Sequence, residues 1–409
     1  MTTIFDSARL LVMKTIFTLF LSLLSITVTA QQKSVLFIGN SYTYGNDLPS
    51  LLRNLATANN HDLYVDSYSV GGATFANHAS SVQAMNKIKA RNWDYVIIQG
   101  QSQEPAFPDN QVNTSSLPAA MRLADSVYAN NYCTEVMMFM TWGRKNGDSQ
   151  WAPISTYEGM QTRLYNGYMR IADSSQASVA AVGQVWRSIR NSMPDVELYE
   201  GDQSHPVLAG SYLAAMTIYS SIYLELATNF VGSGNLSAEF LDQINVHIQA
   251  DILDNLDVYH LRPSDNHTVL ENLTVTQAGN VIEGNAETRK AQSVHWSFGD
   301  GADAQGWTTE HTYNSMNTFT LNIEARSECN VDAETRQIVV DVLAIAEVQS
   351  DFFQIIDNVI TVNNNIEAMI YTSSGQEMAR FKKDFDLTNL PSGVYLFYCQ
   401  GSFNRIFVK

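Results

Sequence analysis

Ser41 closes an apolar run and is flanked by Gly39-Asn40 on one side and Gly45 on the other. Asp202 and His205 stand three residues apart, just before Pro206, and Gly71-Gly72-Ala73-Thr74 lies in the chain between them and the serine. A serine hydroxyl attacks a carbonyl at neutral pH only when a base takes its proton. The base needs a carboxylate to fix its tautomer, and the oxyanion that develops needs donors already in place. The three stretches contain a hydroxyl, an imidazole with a carboxylate in reach, and a glycine-rich backbone free to aim its N–H groups. Their joint chemistry is acyl transfer through serine.

The Asp-His spacing narrows the choice of base. Of the eight histidines, only His205 and His260 have an aspartate three residues earlier. Asp257–His260 closes a helical stretch ahead of Pro263, where a histidine suits the C-terminal end of the helix dipole. That pair reads as structural. His205 sits in a loop bearing Gly201 and Ser204, ahead of Pro206, where a base can reach Ser41. Trp142, Arg144 and Trp151 follow the fourth apolar run, and Trp142 and Arg144 are expected to line a sugar-sized substrate pocket. The turn-rich segment 143–152 is expected to act as a lid over it.

The elements that must position these groups alternate in type. Apolar strands are expected at 35–39, 63–70, 95–99, 135–141 and 179–185, with amphipathic helices at 48–59, 80–91, 116–131 and 156–172. Runs such as VLFI, YVII and VMMFM are apolar without alternation, as in a parallel sheet covered by helices on both faces. Sites of such open sheets lie at the carboxyl ends of the strands. Ser41, Gly72 and the segment 99–103 all fall there. Two further helices are expected at 207–228 and 238–256. Beyond the linker-like Arg262-Pro263-Ser264-Asp265-Asn266 the period changes to two, which signals an all-β region.

The order of Gly39-Asn40-Ser41, Gly71–Thr74, a Gln-rich turn and Asp202–Pro206 resembles the SGNH/GDSL hydrolases over about residues 34–230. The third block is similar to a bacterial subgroup in which a Gln-rich turn (Gln99-Gly100-Gln101-Ser102-Gln103) replaces Gly-x-Asn. The resemblance implies a flavodoxin-like three-layer α/β/α domain with Ser41 as nucleophile, His205 as base and Asp202 as its partner. It also implies an oxyanion hole made of the N–H of Ser41, the N–H of Gly72 and a side-chain amide. With Asn absent, Gln101 is the candidate for that amide and Gln99 the second choice. The activity so implied is that of a serine esterase removing small acyl groups, acetyl in particular, from glycans without metal or cofactor. A lipolytic esterase or thioesterase, or a glycan-binding protein on the same fold, are the alternatives.

Composition sets the surroundings. A formal charge of −17 speaks against nucleic acid and anionic membranes as partners, and 45% hydrophobic content is ample for packed cores. Met13-Lys14, the apolar stretch 16–26 and Val28-Thr29-Ala30 read as a secretory signal in residues 1–30, with translation starting at Met13 and cleavage before Gln31. The three cysteines, with no CxxC, suggest neither a disulfide framework nor a metal site, and Cys133 reads as a buried small hydrophobe. The expected domains are 31–262 for the hydrolase-like part, 266–343 and 350–409. His295–Gly301 followed by His311-Thr312-Tyr313 resembles a PKD-type, immunoglobulin-like sandwich that serves as a spacer. Ile370–Gln376, Leu387–Tyr395 and the end Arg405–Lys409 resemble the C-terminal sorting domain of type IX secretion. That resemblance implies a secretion machinery as partner and an extracellular or cell-surface location, reached through the periplasm.

Overall fold

The first strand shows why a sheet forms at this point. In β1 (Lys33–Gly39) the residues Val35, Leu36, Phe37 and Ile38 are all fully buried, so both faces of the strand are covered. β1 pairs in parallel with β2 (Leu63–Ser69) on one side and with β3 (Tyr95–Ile98) on the other. β4 (Glu135–Phe139) and β5 (Ser178–Ala180) extend the sheet, giving the order β2-β1-β3-β4-β5, all parallel. This is the flavodoxin-like order, in which the crevice at the strand ends forms where the winding reverses beside β1. The computed structural model describes residues 32–262, 268–340, 353–356, 359–362, 366–372, 375–391, 393–399 and 402–408. The expected signal segment 1–30 lies outside the described residues.

Helices cover the sheet in two groups. α1 (Ser41–Tyr44) and α2 (Leu48–Ala58) follow β1, and α3 (Phe75–Ala79) and α4 (Val82–Lys89) follow β2. Then come α5 (Leu117–Asn130), α6 (Tyr157–Ser175), α7 (Val182–Ser192), α8 (Leu208–Tyr223) and α9 (Ala238–Asp251). α3 and α4 pack on α5, and α5 on α6, whereas α8 packs on α2, α7 and α9. α8 is buried from Ala209 through Ile222, which explains why that stretch is apolar all round.

Two elements differ from expectation. The helix expected at 80–91 is α4 (Val82–Lys89), started by the Ser81 side chain, which accepts the Ala84 N–H; the short α3 (Phe75–Ala79) ahead of it was not expected. The strand expected at 179–185 ends at Ala180, and residues from Val182 on are helical. The buried Val182, Val185, Trp186 and Ile189 lie at i, i+3, i+4 and i+7, a helical spacing interrupted by the polar Gln184, Arg187 and Ser188. Cys133 is half-buried in the turn before β4 and is disulfide-bonded, which corrects its reading as a buried small hydrophobe.

The chain divides after Leu261 into two units. In the second, β6 (Val269–Ala278), β7 (Val281–Arg289) and β10 (Thr308–Thr312) form one antiparallel sheet. β8 (Ser293–Ser297), β9 (Asp303–Gln305), β11 (Asn317–Arg326) and β12 (Val331–Val340) form another. Trp296, Tyr313, Phe319, Leu321 and Ile323 make the shared core. The Gly299-Asp300-Gly301 turn needs both glycines at positive φ, +80° and +95°. Asp300 holds it by accepting the Ala302 N–H at 3.0 Å and pairing with His311 Nε2 at 2.8 Å. The end of the chain forms two small antiparallel sheets from strands between Phe353 and Val408, around Ile360, Ile370, Leu387 and Phe397, with Cys399 as a buried free thiol.

Candidate active site

The turn that presents Ser41 is built by Asn40 and Gln99. Asn40 caps α1: its side-chain oxygen accepts the Tyr42 N–H at 3.1 Å, and its carbonyl accepts the N–H groups of Thr43 and Tyr44 at 3.0 Å. Gln99, fully buried at the end of β3, accepts the Asn40 N–H at 3.0 Å and the Thr43 hydroxyl at 2.9 Å. A Cβ on Gly39 would lie 2.1 Å from Thr43 Oγ1, so the tight turn admits only glycine there. Tyr42 and Thr43 point inward and are buried, leaving Ser41 and Tyr44 on the outer side of the turn.

The loop 199–206 brings the other two groups. Its neck is closed by Glu200 N–H to the His205 carbonyl at 2.8 Å and Val207 N–H to the Leu198 carbonyl at 3.1 Å, and Gln203 at φ +64° makes the bend. Asn46 Nδ2 donates to the Pro206 carbonyl at 2.9 Å, tying this neck to the segment that follows Ser41. His205 Nε2 then lies 2.8 Å from Ser41 Oγ, and its Nδ1 hydrogen-bonds Asp202 Oδ2. Asp202 Oδ1 accepts the N–H groups of Ser204 and His205, each at 3.0 Å. Partial burial works to raise the Asp202 carboxyl, but its bonds to the His205 ring and to these two amides win and hold it at about 2. A second histidine lies close by: burial lowers the pKa of His78, beside the Gly39 carbonyl, but its ring has no hydrogen bond to Ser41.

The donors expected for an oxyanion lie on neighbouring strand ends. Gly39 and Ser69 are in register, and the Val70 N–H donates to the Gly39 carbonyl at 3.0 Å, so the Gly71-Gly72 turn starts beside the nucleophile. Gly72 has φ +68°. Neither Ser41 N–H nor Gly72 N–H has a protein acceptor among the described residues. Gln101 is turned onto its own loop: Nε2 donates to Ser102 Oγ at 3.1 Å and Gln103 Oε1 at 3.3 Å, and Oε1 accepts the Gln103 N–H at 2.8 Å. Gln99 is engaged at both ends of its amide, by the Ser41 turn and by the Gly100 carbonyl.

Trp142 departs from expectation. Trp142 is fully buried, stacked between Tyr42 (centroids 4.7 Å apart) and Trp186 (3.9 Å), with its indole N–H on the Ser204 carbonyl at 3.1 Å. It supports the site from below and cannot touch substrate. Arg144 keeps 29% of its side chain exposed and is held by the buried Asp148 and by Gln103 Oε1 at 3.1 Å. The segment 143–152 is pinned as well: Lys145 N–H donates to the Gln203 carbonyl at 2.9 Å and Asn146 Nδ2 to Gln203 Oε1 at 2.6 Å. It buttresses the histidine loop, which leaves no free lid. The exposed aromatic at the site is Tyr44, 53% accessible, whose hydroxyl lies 3.3 Å from where a Cβ of Gly71 would be. Only its place at i+3 from Ser41 signalled it in the sequence.

Residues 265–342 match the PKD domain family. No curated protein matches the chain. Among solved structures, the chain is similar to a candidate SGNH hydrolase from Slackia heliotrinireducens at 26% identity, over 46% of this chain and 98% of that one, with a TM-score of 0.39. It is similar to a DUF4886 family protein from Bacteroides uniformis at 16% identity, over 57% and 97% of the two chains, with a TM-score of 0.48. A lipase/acylhydrolase from Enterococcus faecalis is similar at 15% identity, over 47% and 97%, with a TM-score of 0.36.

The chemistry the site can support follows from its geometry. A hydroxyl at hydrogen-bond distance from an imidazole whose far nitrogen is fixed by an ionised carboxylate is arranged for proton transfer from the oxygen. Among the described residues no group of three or more His, Cys, Asp or Glu side chains could hold a metal ion, and no helix is long and apolar enough to cross a membrane.

Proposed function

We propose that the N-terminal unit is a serine esterase working through an acyl-enzyme on Ser41. The observation that carries this reading is the 2.8 Å contact between Ser41 Oγ and His205 Nε2, with Asp202 on the opposite ring nitrogen. As Oγ attacks the ester carbonyl carbon, its proton passes to Nε2, and Asp202 stabilises the imidazolium that results. The N–H groups of Ser41 and Gly72 receive the oxyanion, and Gln101 Nε2 joins them by leaving its partners in its own loop. Collapse of the tetrahedral species breaks the C–O bond, and the proton on Nε2 goes to the leaving alkoxide. A water then gives its proton to Nε2 and attacks the acyl carbon. The carboxylic acid departs and Ser41 recovers its proton.

The substrate we infer is a small acyl group, acetyl in particular, on a glycan. The side chains of His205 and Asp202 are 43% and 49% exposed, so the site is shallow and open. An open site suits a bulky alcohol carrying a short acyl group better than a long acyl chain, which needs an enclosed apolar channel. Tyr44 offers an exposed ring beside the nucleophile on which a sugar face can stack. The same reading assigns residues 1–30 to an export signal, the PKD region to a spacer and the terminal β region to type IX sorting, which places the enzyme outside the cell or on its surface. N-terminal sequencing of the secreted protein tests this: Gln31 as its first residue is the expected result, and any other start counts against the assignment.

The test is labelling with a fluorophosphonate probe, together with acetate release from 4-nitrophenyl acetate and acetylated xylan by the full chain. Covalent label on Ser41, lost in Ser41→Ala, together with acetate release supports the reading. A folded protein that takes no label and releases no acyl group from any ester would make the N-terminal unit a binding module.

A further inference from the structure

Glu104 is a buried carboxylate, 3% exposed, that takes no part in the proton transfers described above. It opens the short 3-10 turn Glu104–Ala106 just after the Gln-rich segment, under the strand ends. A carboxylate withdrawn from water is costly unless its oxygens are hydrogen-bonded. Its Oε2 accepts two main-chain N–H groups from different loops, that of Phe75 at 3.0 Å and that of Gln101 at 3.3 Å. The Ser116 hydroxyl is a further donor. Burial raises the Glu104 carboxyl above its ordinary value, and these donors pull the other way.

The two loops it joins are those that carry the proposed oxyanion donors. Phe75 lies three residues after Gly72, and Gln101 carries the candidate side-chain amide. Asn40 holds the same two loops through their carbonyls, its Nδ2 donating to Ala73 at 3.2 Å and Gly100 at 3.0 Å. Asn40 therefore takes the C=O groups of the pair of loops, and Glu104 takes their N–H groups. The packing agrees: a Cβ on Gly100 would lie 2.6 Å from the Phe75 ring and 3.0 Å from Glu104 Oε2, so glycine at 100 is what lets the loops close on the carboxylate.

We propose that Glu104 is a positioning residue that sets the separation of the Gly72 and Gln101 loops, and so completes the oxyanion hole. This rests on the reading of Ser41 as nucleophile. A fixed donor lowers the barrier because it is already aimed when charge develops, and losing one costs about 10²–10³ in rate. A clamp that loosens two donors without removing them should cost less and should act on kcat, since the charge exists only in the transition state.

The experiment compares Glu104→Ala and Glu104→Gln with wild type in the full chain. It measures kcat and KM on 4-nitrophenyl acetate, fluorophosphonate labelling of Ser41, and amide hydrogen exchange at Phe75 and Gln101. The expected result for Glu104→Ala is a fall in kcat of roughly 10- to 100-fold with KM changed less than about threefold. Phe75 and Gln101 amides should exchange at least about tenfold faster. Glu104→Gln keeps an amide oxygen as acceptor and should recover most of the kcat and the protection. Unchanged kcat in Glu104→Ala despite freed amides overturns the proposal. So does an equal loss in both variants that follows thermal stability, which would mark Glu104 as a purely structural residue. Should wild type neither turn over esters nor take the label, the esterase reading itself fails, and slow exchange at the two amides would leave Glu104 as a loop clamp without a catalytic role.

Discussion

Tyr42 lies flat on Trp142, with ring centroids 4.7 Å apart and planes 4° from parallel, and both side chains end on Ser204. The Tyr42 hydroxyl is 2.6 Å from Ser204 Oγ, and the Trp142 indole N–H reaches the Ser204 carbonyl. Tyr42 follows the nucleophile in sequence and Ser204 precedes the base. One stacked pair of rings therefore sets the height of Ser41 relative to His205, and Trp186 backs it on the far side.

Removing the middle of that stack should cost stability first. Trp142→Ala leaves a large cavity in a fully buried position and is expected to destabilise the unit by about 3–5 kcal/mol. Trp142→Phe keeps a ring but deprives the Ser204 carbonyl of its donor, at about 1 kcal/mol, and should lower kcat with little change in KM. Urea unfolding beside steady-state kinetics checks both. If Trp142→Phe instead raised KM alone, Trp142 would be touching substrate after all.

Tyr44→Ala should do the opposite. Its ring is mostly in solvent, so the melting temperature should barely move, whereas KM for acetylated xylan should rise several-fold and that for 4-nitrophenyl acetate much less. Equal KM changes on both substrates would remove the ring from sugar recognition.

Loss of either reacting group should abolish turnover. Ser41→Ala and His205→Ala are each expected to lower kcat on the order of 10⁴-fold or more, and the double variant should be little worse than either alone because the two act as one unit. Additive losses would mean that they do not share a proton. Pre-steady-state and steady-state release of 4-nitrophenol measures this.

Gly72→Ala probes the oxyanion backbone. A Cβ there meets no atom within 4 Å, so the penalty is conformational, about 1–2 kcal/mol for holding a non-glycine residue at φ +68°. The expected outcome is a kcat reduced roughly 10- to 100-fold at similar KM. A variant as active as wild type would take Gly72 N–H out of the oxyanion hole.

The His205–Asp202 pair also leaves a mark on acid stability. The folded Asp202 carboxyl is held at about 2 against an ordinary 3.8, so the stability it adds is fully present above 3.8 and is lost as the pH falls towards 2. Solvent screens the half-exposed pair, so the effect should be small. The difference in urea midpoint between wild type and Asp202→Asn should therefore shrink across that window and fade out only below it. A difference that grew on acidification would reverse the sign assigned to Asp202.

Much of this was written in local patterns. Apolar runs without alternation specify buried parallel strands, and glycine-rich turns after them specify strand ends, so the α/β domain and the places of Ser41, Gly72 and Asp202–His205 follow from the chain alone. The Asp-x-x-His spacing is also local, because three residues in a turn are enough to bring a carboxylate to a ring nitrogen. What the tertiary structure decided is whatever depends on residues remote in sequence meeting in space. Trp142 reads as a pocket aromatic until Tyr42 and Trp186 cover both its faces. The segment 143–152 reads as a lid until Gln203 pins it. Gln99, Gln101 and Glu104 are alike as polar residues in one turn, and only the surroundings separate them: one braces the nucleophile turn, one folds onto its own loop, and one joins two loops by their amides. Periodicity records which face of an element is buried; it carries no record of which side chain from another element will lie against it, because that depends on packing and hydrogen bonding across the whole sheet edge.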